Sequence, residues 1–101
     1  MFKSIYKNIH DDFVFLEEYG YTFSHKVIHY IVPSIVFEND KSAIRIGFNY
    51  ESRRIYIQWF PLKGALYGEQ LLDHVNLIGD SYKEQVKDAI AFLQTFLTPM
   101  V

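Results

Sequence analysis

Two histidines four residues apart, His25 and His29, are the first residues whose types and spacing suggest chemistry. On a helix that spacing puts both imidazoles on one face, as zinc ligands need. The intervening segment is β-prone, however, and on a strand the two rings would stand roughly 13 Å apart. The glutamate of a metalloprotease motif is also missing. Carboxylates pair at Asp11-Asp12, at Glu17-Glu18, and between Asp80 and Glu84. Each pair falls near an expected helix end or on a solvated helix face, and adjacent helical residues do not face each other. None of the serines sits in the strained turn of a serine nucleophile. Gly64 and Gly68 make no phosphate loop, because Glu69 follows where Lys-Ser or Lys-Thr is wanted. The chain has no cysteine, hence no thiolate nucleophile, thiolate metal site or disulfide. His10 and His74 could serve as an acid–base pair only if the fold brought them together. The expectation is no enzymatic activity, no cofactor and no metal.

Binding chemistry is better represented. Arg45, Arg54, Tyr56 and Gln58 fall on one face of an expected β-hairpin. Arginine and tyrosine are the residue types that anchor protein interfaces, and an arginine–aromatic sheet can also stack RNA bases. A second, acidic constellation comes from Glu17, Glu18, Glu69 and Asp73, with Tyr19 and Tyr67 as aromatic anchors. The formal net charge is −2, from 10 basic and 12 acidic residues. Both ends of the chain are net acidic and residues 21–60 mildly basic. A nucleic-acid binder usually shows a strong basic excess, so no nucleic-acid partner is expected.

The elements that must position these residues follow from apolar spacing. Residues 2–19 read as a helix, with Phe2, Ile5, Ile9, Phe13 and Leu16 on one side and Gly20 as its left-handed cap. Residues 21–32 are β-prone until Pro33 interrupts them. Ile35 starts another arm, and Asn39-Asp40 supplies a tight turn that sets Ile35 opposite Ile44. The clearest hairpin is 43–60. Closed at Glu51-Ser52, it sets Phe48 against Ile55, Ile46 against Ile57 and Ile44 against Trp59, all on one face. Gly47 opposite Tyr56 suggests a ring laid over a glycine. Leu71, Leu72, Val75 and Ile78 then predict a helix from Glu69 to Gly79. Ser81-x-x-Glu84 is a capping box that opens a last helix, with Val86, Ala89, Ile90, Leu93 and Leu97 inward. The order is one helix, three or four antiparallel strands and two helices, an α+β sandwich with the helices on one face.

At 101 residues the chain is a single domain, 1–101. Hydrophobic residues make up 50% and aromatic residues 18%, which excludes disorder. No apolar run nears the roughly 18 residues of a membrane span, and no secretory signal opens the chain. A cytoplasmic protein is expected.

The acidic N-terminal helix ending in EEYGY, the aromatic meander FNYESRRIYIQW and the acidic closing helices together resemble a known class. They resemble the small cytosolic immunity proteins of bacterial contact-dependent inhibition and related polymorphic toxin systems. The resemblance spans the chain but rests on arrangement rather than a shared motif. It implies a protein that binds one cognate toxin domain, often a basic nuclease, and blocks it. Two other classes compete. One is a ligand-binding or catalytic domain with a pocket between sheet and helices. The other is a homodimer paired through an exposed strand near Pro33.

Overall fold

The computed structural model describes residues 2–72 and 75–100. Helix α1 (Phe2–Phe13) runs into a 3-10 turn (Val14–Tyr19), which Gly20 ends in the left-handed conformation at φ 89°. Five strands follow: β1 (Thr22–Val27), β2 (Ser34–Glu38), β3 (Ala43–Asn49), β4 (Arg54–Phe60) and β5 (Glu69–Gln70). Helix α2 (Tyr82–Leu97) and a short 3-10 turn (Thr98–Met100) close the chain. The strands form one meander in the order β1-β2-β3-β4-β5, each antiparallel to its neighbour. The fold is α+β, as expected.

Strands β3 and β4 pair in the expected register: Phe48 faces Ile55, Ile46 faces Ile57, and Ile44 faces Trp59. The β2–β3 register differs from expectation by two residues, with Ile35 opposite Ile46 and Phe37 opposite Ile44. Asn39 explains the shift. Its Oδ1 accepts the N–H groups of Lys41 and Ser42 at 2.9 and 2.7 Å and widens the turn. A shift of two keeps every side chain on its face. Ile35, Phe37, Ile44, Ile46 and Ile57 therefore join Ile9, Phe13, Leu16, Leu93 and Leu97 in one buried core.

Two expectations are corrected. Among the described residues the sheet has five strands, not three or four, and one α-helix follows it, not two. The stretch expected as a helix from Glu69 instead places Gln70 opposite Gln58 and Glu69 opposite Trp59. Leu71 N–H then reaches Ile57 O at 2.9 Å. Without this pairing the outer edge of β4 around Ile57 and Trp59 would lose its hydrogen-bond partners. Leu72 and Leu77 turn inward, while Ile78 is exposed.

Helix α2 docks on that same edge through Gln85, which is fully buried. Its Oε1 accepts Ile55 N–H at 2.7 Å, and its Nε2 donates to Arg53 O at 2.7 Å and Gly79 O at 3.1 Å. Ser81 caps the helix by accepting Glu84 N–H at 3.3 Å. The Glu84 carboxylate accepts the Ser81 hydroxyl at 2.8 Å instead of closing the box on backbone.

Candidate functional site

Among the described residues no helix packs on the second face of the sheet, and the paired strands bring Arg45, Tyr56 and Gln58 together there. Arg45 lies over the Tyr56 ring, 5.6 Å from its centroid. Its Nε donates to Ser34 Oγ at 2.9 Å and its Nη2 to Val32 O at 3.4 Å. Tyr56 Oη donates to Gln58 Oε1 at 2.9 Å, and Gln58 Nε2 donates to Gly68 O at 3.2 Å. Arg54 lies at the far end of β4, where its Nη2 donates to Val75 O at 2.5 Å. The expected ring over Gly47 is not what fills that space. The atoms nearest to where a Cβ would stand are Ser34 Oγ at 2.5 Å and Pro33 O at 2.6 Å. Ser34 pairs with Gly47 and crowds it from β2, so Tyr56 turns to Arg45.

The acidic constellation is spread more widely. Glu17, Glu18 and Tyr19 lie on the 3-10 turn just before edge strand β1. Glu69 lies on β5, the opposite edge, four strand spacings or roughly 19 Å across. Both groups sit toward the same end of the sheet, where Thr22, Glu38, Ala43 and Phe60 pair in succession. Asp73 lies outside the described residues.

At that end the β4–β5 connection presents Leu62, Leu66 and Tyr67, which are 69%, 89% and 86% exposed. Its backbone is nonetheless tied down. Lys63 N–H reaches Lys41 O at 2.6 Å, Ala65 N–H reaches Leu62 O at 3.1 Å, and Gly68 O is held by Gln58. Glu38, Asp40 and Lys63 line one groove that reaches Gly20. Tyr67 was expected as an anchor. Leu62 and Leu66 were not, although apolar residues in a segment without strand or helix periodicity are the signal that marks them. A second exposed pair, Ile28 and Tyr30, occupies the β1–β2 connection at the other end.

The residues weighed for catalysis are dispersed. His25 takes Ser24 Oγ as a neighbour at 2.8 Å, whereas His29 Nδ1 accepts the N–H groups of Ile31 and Val32. His10 packs between the Phe23 and Phe37 rings, and His74 lies outside the described residues. Lys7 donates to Asp11 at 2.6 Å, which holds the Asp11 carboxyl below its ordinary value and raises the Lys7 ammonium. Among the described residues no three metal-ligating side chains cluster. Between sheet and helices, where a pocket was one alternative, Phe13, Phe37, Ile46 and Leu93 pack the centre, and a cleft of about 190 Å³ opens at the margin between Tyr6, Lys7 and His10 of α1 and Phe23, Lys26 and Ile35 of the sheet. Pro33 is buried and precedes β2, which is paired on both sides; the free sheet edge nearby is β1.

Among the described residues no helix is long and apolar enough to cross a membrane. Comparison with protein-family models, curated proteins and solved structures finds no match in any of the three.

Proposed function

We propose that this chain is an inhibitory binding domain of the immunity-protein kind, acting in the cytoplasm on one cognate toxin domain. The observation that carries the reading is the β4–β5 connection, with three large apolar side chains in solvent on a pinned backbone. Exposed apolar groups gathered in one segment, rather than scattered singly, are what a contact surface presents. A tied backbone lowers the ordering cost of docking. Tyrosine is a favoured anchor residue.

The flanking charges indicate the partner. Glu38, Asp40 and Glu69 lie around the loop together with Lys41 and Lys63, with Glu17 and Glu18 toward the opposite edge. This mixture, acidic on balance, favours a basic partner, whose approach it would accelerate. A basic nuclease domain fits. The chain would block it by covering it, with no reacting group of its own.

The test replaces the anchors and leaves the fold alone. The double variant Leu66→Ser, Tyr67→Ser is expected to weaken toxin binding at least about tenfold, as loss of interface anchors does. Circular dichroism should be unchanged. Wild-type affinity in that variant would refute the docking surface.

A further inference from the structure

Arg54 is a half-buried cation that touches one group among the described residues, the Val75 carbonyl. That contact uses one of five guanidinium donors. No carboxylate pairs with Arg54 among the described residues. Arg54 also lines a cleft of about 350 Å³, bounded by the β3–β4 turn, by β4 and by Gln70 and Leu72.

The opposite wall is rich in donors. Asn49 Oδ1 accepts the N–H groups of Glu51 and Ser52 at 2.9 and 3.1 Å, which closes the turn. The Asn49 oxygen is thereby occupied, and the amide Nδ2, a pure donor, is the part that remains for the cleft. Ser52 adds a hydroxyl. Tyr56 supplies an aromatic wall, with its own hydroxyl directed to Gln58. No aspartate or glutamate lines the cleft among the described residues.

We propose that this cleft binds a small ligand through an oxyanion, either a phosphate or a carboxylate group. The guanidinium fork matches both in geometry, and Val75 fixes its orientation before the ligand arrives. The volume lies at the small end of the range for ligand sites. Tyr56, whose ring stands on the open face beside Arg54, leaves a compact aromatic or apolar remainder as the rest of the ligand. The site is separate from the β4–β5 loop, which leaves the other end of β4. It therefore stands or falls independently of the toxin reading.

Intact ¹⁵N-labelled protein titrated with phenyl phosphate, benzoate and neutral benzamide tests this. The Arg54 side-chain N–H and the Ser52 backbone N–H should shift saturably with at least one anion, and not with benzamide. Saturation by phenyl phosphate alone assigns a phosphate ligand; saturation by benzoate alone assigns a carboxylate. Asn49→Asp keeps the acceptor that closes the turn but replaces the donor with a negative charge. It should weaken binding at least about tenfold, a loss of about 1.4 kcal/mol or more, without unfolding the chain. Arg54→Gln should do the same, and Arg45→Gln should leave binding intact. No saturation with either anion, equal binding of benzamide, or wild-type affinity in Asn49→Asp would overturn the proposal.

Discussion

Gln85 satisfies three backbone groups from two segments with one side chain. Gln85→Leu has a similar volume but would strand Ile55 N–H, Arg53 O and Gly79 O away from water. A loss of about 3 kcal/mol in urea unfolding is expected, at the scale of buried unsatisfied groups. A loss under about 1 kcal/mol would mean that water replaces the amide. Tyr82 is a second such residue. Burial, and then donation to the Asp12 carboxylate at 2.8 Å, raises its phenol well above the ordinary range. The unfolded chain ionises this phenol near pH 10, while the folded chain keeps it protonated. Its stabilisation is therefore complete below about pH 10 and lost as pH rises from there toward the higher folded value. Tyr82→Phe should flatten the fall in stability above pH 10; an unchanged slope would contradict this. Neither role was read from the sequence. Gln85 lies four residues before Ala89, on the stripe of Leu93 and Leu97, but its polarity excluded it from an apolar count. The Tyr82–Asp12 contact joins positions 70 apart, which no local pattern shows.

The elements were legible where two segments checked each other. Strands β3 and β4 carry matching alternation, so a slip of one residue would have exposed an apolar row. The β2–β3 turn was misread because a side chain, Asn39 Oδ1, sets its width. Strand β5 was missed because two residues carry no period and only the edge of β4 defines them. This pairing makes specific demands. In Gly47→Ala the new methyl would meet the Pro33 carbonyl oxygen at 2.6 Å, and backbone cannot move aside as a side chain can. A loss of about 2 kcal/mol is expected from such overpacking, and an unchanged urea midpoint would refute it. Ile57→Ala, at the centre of the covered face, should cost about 3 kcal/mol through the cavity left behind. A loss below about 1 kcal/mol would place Ile57 outside the core.

Across the whole molecule, the apolar row inside the sheet and the exposed apolar loops outside it answer different demands. The core explains why the chain folds, and the loops at the two ends of the sheet carry large exposed apolar side chains that the core does not use. The distribution of charge along the sequence located the acidic ends, and the alternation of the hairpin located the Arg45–Tyr56 face. Neither showed that Glu17 and Glu69 stand at opposite sheet edges, or that Leu62 and Leu66 join Tyr67 in solvent. The central claim is that the end of the sheet bearing Leu62, Leu66 and Tyr67 docks on a toxin domain. It is tested most directly by growth of cells co-expressing this chain with basic nuclease toxin domains taken from its native host. Wild-type chain and the Ile28→Ser, Tyr30→Ser variant should protect, whereas the Leu66→Ser, Tyr67→Ser variant should not. Protection that survives loss of Leu66 and Tyr67 but not of Ile28 and Tyr30, or no protection by the wild-type chain, would contradict the account.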